Sequence, residues 1–341
     1  MNPALDQLPA IAQLVSQLRA HPRRLRRVEA FTDLIGDTPL VRLSSLEKDT
    51  PGVELWAKCE FANPGGSVKD RAAYRMIADA MERGDLRPGM NLIDSTSGNT
   101  GIAYSMIGAS LGLKVSLVMP SNVSMPRKQV TTAYGTEIIY SDPMYGSDGA
   151  IVMVRELVAA DPDRYYYPDQ YSNPSNWRAH YLGTGPEIWA QTRGRVTHFV
   201  TGIGTSGTIM GTSRALHELS ADRSPELGGR VHCIGMQPDD AFHGLEGLKY
   251  LESSIIPGIY DESVLDETMF VGTEDGWDMS ERLSDGEGLL VGHSSGGNVA
   301  AAYRVAKRLS EAGESGVVVT VLCDRGDRYF APLEWERHYT W

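Results

Sequence analysis

Apolar and polar positions alternate along Val53-Glu54-Leu55-Trp56-Ala57-Lys58-Cys59 in the two-residue rhythm of a half-buried strand. Residues 68–83 then repeat apolar positions at helical spacing and stop at Gly84, a residue suited to ending a helix. Lys114–Met119 is a short β-rich run closed by Pro120, and Glu137–Tyr140 is another, following a helix-like stretch that ends at Gly135. Further apolar runs at Thr197–Thr201, Val231–Gly235 and Val317–Cys323 are separated by helical stretches. This βαβ alternation predicts an α/β protein with mainly parallel sheets and helices on both faces. The turn-rich stretch 161–176 reads as a crossing between two domains.

Residues 1–30 stand apart. Ile11, Leu14, Val15 and Leu18 recur at helical spacing, and Arg23, Arg24, Arg26 and Arg27 crowd the stretch that follows. A solvated helical extension fits this better than a patch for an anionic partner, because the chain as a whole is acidic.

At roughly 100–200 residues per domain, 341 residues make two domains or one large α/β unit. No stretch approaches the ~20 consecutive apolar residues of a membrane-spanning helix. Lys and Arg total 32 against 44 Asp and Glu, a net charge of −12, which argues against nucleic acid and for small molecules as partners. The three cysteines, Cys59, Cys233 and Cys323, are scattered beside apolar runs and form neither a disulfide framework nor a metal knuckle. No metal site is predicted. The N-terminus lacks the pattern of a secretory signal, so a cytoplasmic location is expected.

In a parallel α/β sheet, ligands sit where strands end and helices begin, so glycine-rich turns at those places carry the chemistry. Gly202-Ile203-Gly204-Thr205-Ser206-Gly207-Thr208 follows an apolar strand and satisfies GxGxxG, with Asp222 loosely placed as the ribose acid of a dinucleotide site. Its hydroxyls favour a cup for a single phosphate instead. Gly292-His293-Ser294-Ser295-Gly296 matches the G-x-S-x-G nucleophile elbow, with Asp324 or Asp327 and His338 completing a hydrolase order. That reading ranks second, since little chain follows Ser294 and His338 lies almost at the terminus. Asn63-Pro64-Gly65-Gly66-Ser67-Val68-Lys69-Asp70-Arg71 puts a lysine in the first turn of a helix, where the helix dipole lowers its pKa as imine chemistry requires. Ser95-Thr96-Ser97-Gly98-Asn99-Thr100-Gly101 opens another helix with donors suited to a carboxylate. An imine lysine, a phosphate cup, a carboxylate turn and a serine hydroxyl together make a ligand set for pyridoxal phosphate holding an amino acid.

On these motifs the chain resembles the fold-type II pyridoxal-phosphate enzymes and, within them, the cysteine synthases (O-acetylserine sulfhydrylases), closest to the B-type isozyme. The resemblance runs from Ile35-Gly36-Asp37-Thr38-Pro39-Leu40 to about Cys323-Asp324. It implies that Lys69 binds pyridoxal 5'-phosphate as an imine and later moves the substrate α-proton. Asn99 is expected at the cofactor O3′. Thr96, Ser97, Gly98 and Thr100, with Gln170, are expected at the substrate carboxylate. Gly204, Thr205, Ser206, Gly207 and Thr208 would cradle the phosphate. Ser294 would meet the pyridine nitrogen, which displaces its reading as a nucleophile.

The implied reaction is β-replacement on an O-activated serine (O-acetylserine or O-phosphoserine) by sulfide or thiosulfate, through an α-aminoacrylate, giving cysteine or S-sulfocysteine. The implied fold is two doubly wound parallel-sheet domains with the cofactor between them. The smaller, mobile domain spans 63–173 and the larger combines 31–62 with 174–330, flanked by the 1–30 extension and a 331–341 tail. Relatives are commonly homodimers; nothing in the sequence indicates association with a serine acetyltransferase.

The match loosens in three places. The B-type pattern carries arginine near Lys249, and Lys249 is expected to favour an anionic co-substrate. Pro126 takes an acidic position in 121–129, leaving Arg127 and Lys128 as a second place for an anion. His293 replaces a small apolar residue and is expected to pack. Cystathionine β-synthase, which condenses serine with homocysteine, shares the fold and is the nearest enzymatic alternative; serine or threonine dehydratase chemistry is a further one.

Overall fold

The computed structural model describes residues 28–330; the Ile11–Leu18 helix, the arginine cluster, His338 and the 331–341 tail lie outside them. Strands β1 (Leu40–Arg42) and β2 (Val53–Cys59) come first. Four more follow: β3 (Asn91–Asp94), β4 (Lys114–Pro120), β5 (Glu137–Ser141) and the two-residue β6 (Tyr165–Tyr166). The last are β7 (His198–Gly202), β8 (His232–Pro238), β9 (Glu267–Val271) and β10 (Gly316–Leu322). They form a four-stranded sheet, β5-β4-β3-β6, and a six-stranded sheet, β1-β2-β10-β7-β8-β9. Every neighbouring pair is parallel except β1 and β2. The fold is α/β with two parallel-sheet domains, as expected.

The continuous apolar run of β10 is explained by its place between β2 and β7. Val318 and Leu322 enter one core, and Val317, Val319 and Val321 the core on the opposite face. A strand covered on both faces has no polar side to alternate with. The stretch 161–176 is more than a crossing: Tyr165–Tyr166 pairs with β3, and Tyr165 is buried against Ile93 and Val154. A two-residue strand in a run of three tyrosines among turn residues is too short for a periodic signal.

The helix Lys69–Arg83 begins where the sequence places it and ends at Gly84, whose φ of +78° lets it close the last turn on the carbonyls of Ala80 and Met81. Ala73, Met76, Ile77 and Ala80 pack against Tyr104 and Ile107 of the helix Asn99–Leu111. Its start is held by a buried charge network. Arg71 Nε donates to Glu60 Oε2 and Arg71 Nη1 to Glu187 Oε1, both at 2.7 Å. Lys58, on β2, lies 2.7 Å from Glu187 Oε2 and donates to the Thr38 carbonyl at 2.6 Å. Lys58 and Glu60 are fully buried, so the alternating pattern of β2, which reads Lys58 as a solvent-facing position, misplaces it. Its ammonium is tolerated because two cations meet two carboxylates, and Thr38 and Asn63 satisfy Glu60 further.

Burial pushes the Glu60 carboxyl up, but Arg71 outweighs it and holds the group below the usual glutamate value. Stability from this group is therefore complete above the ordinary glutamate pKa and falls as pH drops through the lowered one. Arg71→Met leaves a buried carboxylate without its cation and should cost about 3–5 kcal/mol in urea unfolding at neutral pH.

Candidate active site

Four helices, Lys69–Arg83, Asn99–Leu111, Gly207–Leu219 and His293–Glu311, point their N-termini at one cleft. None of the four N-cap residues closes its helix with a side-chain hydrogen bond. Aligned dipoles at four helix starts make the cleft a receptor for negative charge, although the Lys69 N–H is already taken by Ser67 Oγ. The cleft holds a cavity of about 360 Å³ and, sharing Lys69, Asn99, Gly204 and Thr205 as walls, an inner one of about 60 Å³.

The geometry brings every site residue expected from the sequence to these two spaces. Thr96, Ser97, Gly98, Thr100, Gln170 and Lys249 line the larger one. Ser206, Gly207, Thr208 and Ser294 line the inner one.

Lys69 is the first residue of its helix and lines both cavities. Burial lowers its pKa, partly offset by Cys323 and Asp324. Among the described residues no side chain holds its Nζ by a hydrogen bond or ion pair, which leaves the amine available to a carbonyl ligand. Gly204–Thr208 leads from β7 into a helix. Ser206 there adopts φ +66°, and among the described residues its buried Oγ has no partner, a strained and unsatisfied hydroxyl at a helix N-terminus of the kind that binds phosphate. At Gly204 a side chain would collide with the Gly247 carbonyl. Thr100 Oγ1 donates to Gln170 Oε1 at 3.0 Å, which joins the two residues expected at the carboxylate. Ser294 is nearly buried, in the first turn of its helix beside Cys323. Burial pushes the Cys323 thiol up to about 12, so it stays protonated. A lysine whose pKa is lowered by burial, an unsatisfied phosphate turn and a neutral hydroxyl in one cleft fit pyridoxal phosphate.

Asn176, two positions into the helix Pro174–Ala179, donates to the Gln170 carbonyl at 2.7 Å and to Thr205 Oγ1 at 3.0 Å, joining the carboxylate side to the phosphate turn. His180 lies behind that turn with Thr184 Oγ1 at 2.9 Å and Thr208 Oγ1 at 3.3 Å, and burial lowers its pKa to about 3, leaving it neutral. Sequence reading missed both, since neither belongs to a glycine-rich motif. Lys249 Nζ lies 5.1 Å from the centre of the Tyr171 ring, a cation–π contact. Arg127, expected to be free for an anion, is paired with Glu246 across the larger cavity, and Lys128 Nζ donates to the Ser121 carbonyl. His293 packs, as expected, between the rings of Trp277 and Tyr329. Of the hydrolase set, Asp324 is engaged by Asn99 and Tyr329. Away from the cleft, His217, Cys233 and Asp266 cluster within 4.8 Å, but Arg230 already neutralises Asp266.

Residues 31–324 match the model of the pyridoxal-phosphate dependent enzymes, and the chain belongs to that family. Within it the chain belongs with the cysteine synthases. It is 51% identical to a cysteine synthase of Aquifex aeolicus, over 88% of this chain and 90% of the relative. It is 43% identical to cysteine synthase B of Escherichia coli, over 87% and 93%. The crystal structure of a cysteine synthase from Entamoeba histolytica superposes with a TM-score of 0.83 at 33% identity, covering 90% of each chain.

Asp94 ends β3 directly before the Ser95–Thr100 turn, where burial pushes its carboxyl up to about 7. A raised folded pKa means that the stability cost appears as pH climbs above the unfolded value and is complete above about 7. Asp94→Asn keeps the acceptor for Ser95 N and cannot ionise. It should gain stability over the wild type at a slope of up to ~1.4 kcal/mol per pH unit between the two values, and nothing below them. Urea unfolding at a series of pH values checks this.

Proposed function

We propose that this protein makes cysteine by β-replacement on O-acetylserine with sulfide. The observation that carries this reading is the convergence of four helix N-termini on a cleft holding an unpaired Lys69. Pyridoxal phosphate, when bound, supplies a sink for the electrons left on the substrate Cα. Lys69 Nζ would hold the cofactor and, when free, would take the proton from the substrate Cα. The turn Thr96–Thr100, with Gln170, binds the substrate carboxylate through hydroxyls and the N–H groups of a helix start. Gly204–Thr208 anchors the phosphate. The Ser294 hydroxyl, which lines the inner cavity, would meet the ring nitrogen without forcing a proton onto it, and so would limit the electron pull and favour elimination over competing reactions.

Arg127, beside the four-stranded sheet, and Glu246, in the segment after β8, meet across the cavity. Their contact supports closure of the part spanning about 63–173 over bound substrate, so that water is excluded. Lys249 lines the same cavity, and its half-buried ammonium favours an anionic partner at the cavity wall, either a phosphate leaving group or thiosulfate. A second copy of the chain is the expected partner, which sedimentation at low protein concentration would reveal.

Adding pyridoxal phosphate to the protein should produce a visible absorbance band that borohydride reduces to a stable adduct; Lys69→Ala should give no such adduct. Addition of O-acetylserine should shift the band, and sulfide should restore it with release of cysteine. Thr100→Ala should raise KM for O-acetylserine about tenfold through loss of a hydrogen bond to a charged group, with cofactor uptake intact. A protein that stays colourless with added cofactor would sink this reading.

A further inference from the structure

The segment after β10 has no part in the reading above. A short 3-10 turn, Gly326–Tyr329, folds so that Arg328 and Tyr329 both line the larger cavity. The Arg328 guanidinium donates from Nη1 to Asn99 Oδ1 and from Nη2 to the Gly65 carbonyl. Asn99 Nδ2 in turn donates to Asp324 Oδ2 at 2.6 Å. Asp324 is 1% exposed, and the same oxygen accepts from the Tyr329 hydroxyl. The Tyr329 ring stacks on His293 at 5.8 Å, which ties this arrangement to the helix that begins beside Ser294.

A primary amide has one acceptor oxygen and two N–H donors. In Asn99 a cation occupies the oxygen and a carboxylate takes one N–H. Turning the amide over would set its NH₂ against the guanidinium and its oxygen against the carboxylate, losing two charge-assisted hydrogen bonds together. The amide therefore has one orientation, with a single N–H uncommitted among the described residues, at a residue that lines both cavities. The glycine at position 66, with φ +76°, belongs to the same arrangement, because a side chain there would run into Arg328.

We propose that Arg328 and Asp324 are positioning residues that lock the Asn99 amide so that its remaining N–H serves the ring hydroxyl of pyridoxal phosphate. This rests on the reading of the cleft as the cofactor site. A fixed donor stabilises the ionised ring oxygen, so the lock should govern both cofactor affinity and the position of its resting absorbance band.

The test titrates cofactor-free protein with pyridoxal phosphate and records Kd and the visible spectrum for wild type, Arg328→Met, Asn99→Ala and the double variant. Each single variant should raise Kd about tenfold or more and move absorbance from the long-wavelength band to a shorter one. In the Asn99→Ala background, Arg328→Met should add little, since the two residues act as one unit. Wild-type protein that binds no cofactor would overturn the reading of the cleft, and this proposal with it. Wild-type binding together with an unchanged Kd and spectrum in Arg328→Met would overturn the proposal alone. So would an undiminished penalty in the Asn99→Ala background, which would place the effect of Arg328 in the Gly65 loop. An unchanged cofactor Kd with weakened amino-acid binding would make Arg328 a substrate ligand and would also overturn it. If Arg328→Met does not fold, Asp324→Asn enters the same cycle: the band shift is again expected, and its absence would count against the lock.

Discussion

Arg71 lies two residues beyond Lys69, so the two side chains leave opposite sides of the same helix turn. While Lys69 faces the cleft, the Arg71 guanidinium is divided between Glu60, which follows β2, and Glu187 of a distant helix. Lys58 from β2 closes the network on Glu187. The first turn of the Lys69 helix is thereby fastened to the six-stranded sheet, although the rest of that helix packs with the core beside the four-stranded one. Planar, two-sided hydrogen bonding of this kind is specific to arginine; a lysine would supply charge without the geometry. The height and rotation of Lys69 over the cleft follow from that anchor.

Much of the site is legible in the sequence because its chemistry is local. A phosphate turn needs glycines, hydroxyls and a helix start within a few residues, and a carboxylate turn needs the same, so each leaves a compact trace. The central run of β10 is legible for a similar reason, since burial on both faces writes itself as a valine-rich run broken only by Thr320. Lys58 is illegible: in an alternating strand a lysine looks like a solvent position, and only the distant Glu187 explains its burial. Arg328 and Asn99 lie 229 positions apart, and Asn176 joins two motifs that sequence reading treats separately. Pairings of that kind are set by how the two sheets assemble, and no local pattern records them.

Electrostatically the cleft runs against the charge of the whole chain. The net charge is −12, yet the groups at the cavity are helix N-termini with Lys69, Arg127, Lys249 and Arg328, against Glu246. An acidic exterior keeps the protein from general polyanion binding. The short-range field of the helix starts, acting where water is displaced, selects small anions by fit. Asp324, buried among these positive groups, is shared by Asn99 and Tyr329 and so arranges donors instead of repelling ligand.

The position of β10 also has a consequence for how the protein is made. The strand is the last among the described residues, yet it sits between β2 and β7, with pairing to β2 along its whole length. During synthesis the four-stranded sheet, complete by Tyr166, can assemble while the rest is still being translated. The larger sheet cannot close until β10 has been made, so β2 waits with an unpaired edge from Cys59 to Gly316 and β7 from Gly202 to Gly316. The nascent chain is most open to misassociation in that interval, and the cofactor cleft is completed only when the larger sheet closes.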